Sequence, residues 1–485
     1  MFPHPLYAKH VLAHNFLDFQ RYFLDDLLDV LGAHALMLHE VGLLDPGDLA
    51  RIARALDRLD RKRIRELSYD GSTEDVFFLI DRELETLAGA AAGRLRAARS
   101  RNDFDVTLYR LQIRRRLLDL VENTLELTGT LLATAAAHRA TVFPAHTHAQ
   151  PAQPTTLAHV LLGVTECLLR DAGRLRAAFA TVNRSPLGSC AITTTGFPID
   201  RRATMRWLGF DGLQVNSYGA IAAVDYIGES LSAVAVAALT LGQFLQLLLD
   251  WSKPEAGFLR LGDAWVQISS IMPQKRNPVS LEHARVLASR AFMQAHASLG
   301  CLHNAPFEDT VDREDDLMPL VFDAMDCMQR ALAVTGGAIA DANFDAGRMR
   351  ELSSRRYITT TELADTLVRR EGLSFRDAHE LVAEAVRQAD SDAHSAIAAS
   401  LTASAVAILG RPLSLSAEEI KAALDPWRFI EVRTVEGGPA PPAVDAQIAA
   451  QQSALDEHSA WLRQAQSRLE AARGRLHKAL REARA

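Results

Sequence analysis

Cysteine is scarce. Cys167, Cys190, Cys301 and Cys327 are the only four in 485 residues, and no two form a Cys-x-x-Cys pair. That argues against a disulfide framework or a thiolate zinc site and makes a reducing cytoplasm the simplest home. Positive charge is not in excess. The net charge of −7 supplies no field that would gather nucleic acid or an anionic membrane. Aromatic residues are only 6 % and period-two alternation is rare, so little sheet is expected. The N-terminal MFPHPLYAKH lacks the basic-then-apolar order of a signal peptide. One long apolar run, Leu231 to Leu249, is interrupted by Ser232, Thr240, Gly242, Gln243 and Gln246 and bracketed by Glu229 and Asp250. Those polar breaks favour a helix buried in a bundle over a membrane span. A metal cluster, a Gly-rich nucleotide loop and a lysine context for a pyridoxal cofactor are all missing, so no metal and no cofactor are expected.

What the chain does have is apolar mass in Ala, Leu and Val, at helical spacing. Residues 17–44 read as helix, and Asp45-Pro46-Gly47 starts another through Leu67. Ser72 and Asp75 form a candidate capping box. From Asp105 to about Ala140 there is no proline and one glycine, with apolar positions at 108, 111, 118, 121, 125 and 132. That predicts a helix far longer than the usual ~11–12 residues. Comparable segments follow at 155–182, 219–250, 278–300 and 315–337, which together describe an elongated bundle. Shorter helices are expected at 359–369, 375–389, 391–408 and 416–424, then a breaker at Gly437 to Pro442. In the tail, Ile448, Leu455, Leu462, Leu469 and Leu476 recur every seven residues, a stripe that must pack on another helix, in this chain or in another copy. The expected division is residues 1–104, an N-terminal helical domain; 105–350, a central long-helix bundle; and 351–485, a small helical domain with the tail helix.

The strongest chemical signal is Ser269-Ser270-Ile271-Met272-Pro273-Gln274-Lys275-Arg276-Asn277-Pro278. Small residues and prolines make a loop whose N–H groups can face an anion, and Lys275 with Asn277 can grip a carboxylate. A plain helix-to-helix connection is the bland alternative. The segment resembles the aspartase/fumarase superfamily signature, Gly-Ser-Ser-x-Met-Pro-x-Lys-x-Asn-Pro, departing only at its glycine, which is Ile268 here. Ser100-Arg101-Asn102-Asp103 resembles the Ser-Arg-Asn-Asp block of argininosuccinate lyases. Thr147-His148-Ala149-Gln150 with Ala152-Gln153-Pro154 resembles their Thr-His-x-Gln-x-Ala-Gln-Pro block. Weaker echoes cover Ser185 to Ser189, Phe197 to Asp200 and Gly437 to Pro441, so the likeness spans nearly the whole chain except the tail beyond Val444.

The resemblance implies an all-α fold of three domains with a central long-helix bundle, assembling as a homotetramer whose active sites are shared between subunits. It implies a carbon–nitrogen lyase that removes an amine from an N-substituted aspartate and releases fumarate. The family base maps onto Ser269, the helper histidine onto His148, and its partner glutamate onto Glu282. A serine hydroxyl is a poor base, so loop amides and a cation such as Lys275 must stabilise its alkoxide. Fumarate carries two carboxylates, which Arg101, Lys275, Asn102 and Asn277 could receive, with hydroxyls from Ser100, Thr147 and Ser270. Met272 and Gln150 belong to the same matched blocks. Alone, His148 would more often be a packed structural histidine, as His39, His159 and His303 are expected to be.

The likeness breaks in places. Phe77 stands where the family carries histidine, Phe104 follows Asn102-Asp103 in place of glutamine, and the 307–315 stretch has neither the Tyr nor the Gln of Tyr-Asn-Lys-Asp-Leu-Gln-Glu-Asp. Ala222-Ala223-Val224-Asp225 replaces Ser-Asp-Arg-Asp. The elimination machinery is kept while its surroundings change, which points to an amine other than arginine. The chain resembles the ethylenediamine-N,N′-disuccinate lyase type, acting on aminopolycarboxylates. The alternatives are a true argininosuccinate lyase, a non-catalytic structural homologue, whose mark would be loss of the serine or histidine, and a helical scaffold that binds partners through its tail.

Overall fold

The computed structural model describes residues 3–484. Five long helices form its centre: Arg101–Ala137, Leu157–Val182, Asp225–Trp251, Val279–Leu302 and Met318–Ala340. Each packs on the next, and the fifth closes back on the first. Side-chain bonds give their directions. Arg110, near the start of the first helix, donates to Thr181 O and Val182 O at the end of the second, so these two are antiparallel. Tyr109 meets Asp315 and Arg116 meets Asp326, so contacts advance together along the first and fifth helices, which run the same way. Arg285, early in the fourth helix, meets Gln246, late in the third, so these two are antiparallel, and Arg290 and Asp323 join the fourth to the fifth.

Strands are few and short. Among the described residues they form four two-stranded pairs, and only Val142–Thr147 with Gln150–Thr156 is longer than two residues per strand. The apolar Leu231–Leu249 run lies in the Asp225–Trp251 helix, where Leu231, Val234, Leu241, Leu245 and Leu248 are buried. By length and composition Ser217–Trp251 could span a membrane, yet 56 % of its most apolar window is buried within the chain.

Three expected features differ. The helix expected from Pro46 through Leu67 is two, Pro46–Arg58 and Arg61–Glu66, because the backbone turns out of the helix at Leu59 and Asp60 caps the second, its carboxylate accepting from Arg63 N at 2.9 Å. The 17–44 segment is two helices, Ala13–Tyr22 and Leu24–Glu40, with a break in regularity at Phe23, where φ is −116° and the ring meets Tyr109 and Phe322 edge to face. Ser72 and Asp75 do not make a capping box. Asp75 is itself the N-cap, its carboxylate accepting from Phe78 N at 2.9 Å, which satisfies one orphan donor of the Val76–Ala88 helix.

Two hydrophobic clusters divide the chain. The large one takes in residues from Phe16 to Met349 and also Val444, Leu455, Leu462 and Leu476. The small one runs from Leu363 to Leu424. The tail helix, Pro441–Arg484, therefore follows the small cluster in sequence but packs on the large one, against Arg101–Ala137, Leu157–Val182 and Pro46–Arg58. Its heptad stripe faces this chain's own bundle.

Candidate active site

The up-and-down order puts the sequence blocks at opposite ends of the bundle. One end carries the signature loop and the Thr147–Gln150 hairpin. Gln267–Ile268 pairs antiparallel with Arg276–Asn277, and the loop between them leads through Pro278 into the Val279–Leu302 helix. Ser269 N donates to Lys275 O at 3.3 Å, and Lys275 N to Met272 O at 3.0 Å, so the loop folds back on itself. The Ser269 hydroxyl accepts from Ile271 N at 3.4 Å and Met272 N at 3.1 Å. Two backbone donors on one hydroxyl oxygen are suited to charge developing there. Met272, Lys275, Asn277 and Glu282 line an open cleft of about 760 Å³. Ser270 and Lys275 are exposed, and Asn277 is half-buried.

The hairpin turns at His148 and Ala149, with φ of 50° and 61°. A two-residue turn with both φ positive matches strand twist, but neither residue is the glycine or asparagine such a turn favours. His148 stands exposed at the tip, with Thr147 and Gln150 beside it. Gln150 lines a second cleft of about 800 Å³, which shares Lys253 with the first. Among the described residues no hydrogen bond or ion pair joins His148 to Glu282 within the chain.

The other end carries Ser100, Arg101 and Asn102, at the start of the first long helix. Buried Asp103 holds the block in place. One of its carboxylate oxygens accepts from Ser100 N at 3.2 Å, and the other from Gly188 N at 2.8 Å and Cys190 N at 3.1 Å. Gly188 has φ of 86°, and a Cβ there would meet Arg201 Cγ at 2.6 Å, so the close turn requires glycine. Burial raises the Asp103 carboxyl to about 6, against those three N–H donors.

Arg101, expected to face a substrate carboxylate, is engaged inside the chain. It pairs with Asp75, with Asp105 at 2.9 Å and with Asp315 at 3.4 Å. Burial opposes its charge, but Asp105, Asp75 and Asp315 outweigh that and hold the guanidinium above its ordinary value. Asn102 donates to Asp309, and the Ser100 hydroxyl to the Asn102 amide oxygen at 2.8 Å. Asp309, Glu314 and Asp315 were not singled out as site residues. The available signal was the acid density of Glu308-Asp309 and Glu314-Asp315-Asp316 within the stretch that departs from the family pattern.

Phe77 and Phe104 are core residues, with no face toward a cleft. They are 5 % and 0 % exposed and meet edge to face at 5.9 Å. The Arg99 guanidinium lies over both rings, at 4.9 and 5.7 Å, and pairs with buried Asp81 at 2.5 Å. These substitutions repack the wall behind the Ser100 block.

A profile of the family described as lyase matches residues 18–293, and one described as argininosuccinate lyase C-terminal matches residues 357–431. Argininosuccinate lyase 2 of Agrobacterium fabrum is 39 % identical over 459 residues, covering 94 % of this chain and 91 % of the relative. The argininosuccinate lyase of Methanoculleus marisnigri is 38 % identical, covering 92 % and 90 %. Among solved structures, an EDDS lyase variant with bound fumarate superposes with a TM-score of 0.86 at 31 % identity, covering 98 % of this chain and 97 % of its own. A 3-carboxy-cis,cis-muconate lactonizing enzyme from Pseudomonas putida shares the fold at TM-score 0.73 and 21 % identity, over 90 % of this chain and 99 % of its own.

Proposed function

The chain belongs to the argininosuccinate-lyase branch of the aspartase/fumarase superfamily and is a fumarate-forming carbon–nitrogen lyase; from that premise we propose that it eliminates an amine from an N-substituted aspartate with Ser269 as the general base. The observation that carries the assignment is the Ser269 hydroxyl, which receives two loop N–H groups in the segment that also holds Lys275. Those donors lower the cost of an alkoxide at Ser269. Ser269 Oγ takes a proton from Cβ, charge moves onto the adjacent carboxylate, and the Cα–N bond then breaks as the double bond forms. Lys275 and Asn277, with Ser270 and Thr147, are the donors for that carboxylate, since charge that exists only in the transition state is where binding accelerates the step. His148, paired with Glu282 in the assembled enzyme, assists proton transfer at the leaving amine.

The assembled form is a homotetramer in this reading. The Arg101–Ala137 helix, 37 residues long, spans roughly 55 Å at ~1.5 Å per residue. One chain therefore keeps Ser100, Arg101 and Asn102 far from Ser269, and a neighbouring copy must supply one group to the other. Exposed Val236, Leu239, Val286 and Met293 on the Asp225–Trp251 and Val279–Leu302 helices offer apolar surface for that contact. The three-domain division, the cytoplasmic home and the independence from metal and cofactor belong to the same proposal.

For the amine, we favour an aminopolycarboxylate of the ethylenediamine-N,N′-disuccinate type. The substituted 307–315 stretch and the 31 % identical EDDS lyase support this. Argininosuccinate is the second reading, supported by the 39 % and 38 % identical relatives that carry that name. Offering the two compounds separately and following fumarate by ultraviolet absorbance decides between them. Release from the disuccinate alone supports the first reading, and release from argininosuccinate alone supports the second.

A further inference from the structure

We propose that Arg201 is a positioning residue for the reaction: it clamps the turn at 186–191, and through Asp103 that turn sets the Ser100-Arg101-Asn102 block against the substrate. This rests on the lyase reading above and deepens it.

The turn begins where a strand pair ends. Arg184–Ser185 runs parallel to Gly212–Leu213, and Pro186, which has no N–H to give, cannot carry the ladder further. Arg201 takes over from there. On one side its Nε donates to Leu187 O at 3.1 Å and its Nη2 to Pro186 O at 3.3 Å. On the other, Nη2 donates to Gln214 O at 2.9 Å and Nη1 to Val215 O at 3.1 Å. One planar guanidinium thus bridges both segments, which a point charge could not do. Among the described residues it makes no ion pair; besides these carbonyls it reaches the Ser189 hydroxyl at 3.5 Å. Burial pulls it below its ordinary value, against the attraction of Asp103 and Cys190.

What the clamp holds is strained. Cys190, Ala191 and Thr194 take φ of 48°, 70° and 63°, and Ala98 takes 53°. The Cys190 thiol donates to Ala98 O at 3.1 Å, and Thr194 N closes on Ser189 O at 2.7 Å. Four non-glycine residues in the left-handed region, one of them β-branched, keep that shape where the surroundings impose it. Three belong to the turn and its exit, and Ala98 stands two residues before Ser100. The strained path aims Gly188 N and Cys190 N at one oxygen of Asp103, whose other oxygen takes Ser100 N. Asp103 is 0 % exposed and, among the described residues, makes no ion pair, so these N–H groups fix its carboxylate and with it the start of the first long helix. Loss of the Arg201 fork would let the turn relax, withdraw two of the three donors and shift Ser100 to Asn102.

The test follows fumarate release by the full-length protein from whichever of the two substrates it accepts, with Arg201→Met placed in the wild type, in Asp103→Asn and in Thr147→Ala. In the wild type the change is expected to lower kcat/KM by at least about tenfold, because a small misplacement of binding groups is costly. The loss should fall on KM, since Ser100 and Asn102 are placed to bind while Ser269 takes the proton; a misfolded fraction would lower kcat and leave KM alone. The same loss is expected in Thr147→Ala, at the other end of the bundle, but about threefold or less in Asp103→Asn, where the link is already cut. Arg201→Lys, which keeps the charge without the fork, replaces Arg201→Met if sedimentation shows that variant unassembled. An unchanged kcat/KM, a loss in kcat alone, or equal losses in the three backgrounds overturns the positioning role and leaves the lyase reading standing. A wild type that releases no fumarate from any N-substituted aspartate overturns the lyase reading, and the positioning role falls with it.

Discussion

At the scale of single residues, the most legible feature was Ser269. Small residues and prolines around it pointed to a loop whose N–H groups can face an anion, and in the structure Ile271 N and Met272 N donate to its hydroxyl. Replacing Ser269 with Ala should lower kcat by about 10²- to 10⁴-fold, the usual contribution of a positioned base, while the oligomer measured by sedimentation stays intact. Normal turnover in that variant would remove Ser269 as the base. Arg101 was less legible. Residue type pointed to a carboxylate receptor, and the carboxylates it meets in the chain are Asp75, Asp105 and Asp315, which lie 26 residues before, 4 after and 214 after it. Phe77 and Phe104 carry a related lesson. A change of residue within a matched block reads as a pocket change, but the rings are buried around Arg99, and only packing could reveal that.

At the scale of elements, the long helices were legible because apolar spacing, missing proline and a capping residue all agree over dozens of residues. The break at Phe23 was not, because its edge-to-face packing on Tyr109 and Phe322 is a tertiary effect that local periodicity does not encode. The Thr147–Gln150 turn places Ala149 at φ 61°, where an L side chain crowds its own carbonyl. Ala149→Gly should therefore stabilise the protein by about 0.5–1 kcal/mol, seen as a higher urea midpoint with unchanged slope. A lower midpoint would mean that the methyl makes a contact worth more than the strain.

The acidic element at 309–315 predicts a pH dependence. Glu314 and Asp315 sit at about 7 and about 6, above their ordinary values, so between roughly pH 4 and 7 the folded chain holds more protons than the unfolded one. Their contribution to stability is present at the acid side and lost as pH rises through 6 and 7. Melting temperature should fall across that window more steeply in the wild type than in Glu314→Gln. Identical slopes would show that Glu314 titrates alike in both states.

At the scale of the whole molecule, the bundle order is what the sequence blocks could not show by themselves. Ser100 to Asn102 and Ser269 to Asn277 sit at opposite ends of helices that the chain cannot fold back. Two inactive variants, Ser269→Ala and Asn102→Ala, should therefore regain part of the activity when co-assembled, because mixed oligomers contain some sites with both groups intact. A mixture as inactive as its parents would place each site within one chain. The tail heptads were legible as a packing stripe but not in their destination, since the periodicity of Leu455, Leu462 and Leu476 is the same whether the partner helix lies in this chain or another.

The most direct test of the account is fumarate release by the purified full-length protein, compared between wild type and Ser269→Ala, with ethylenediamine-N,N′-disuccinate and argininosuccinate as separate substrates. The account predicts a rise in fumarate absorbance from at least one of them with the wild type, lost in the variant. A wild type that releases fumarate from neither, or a variant that releases it as fast, would contradict it.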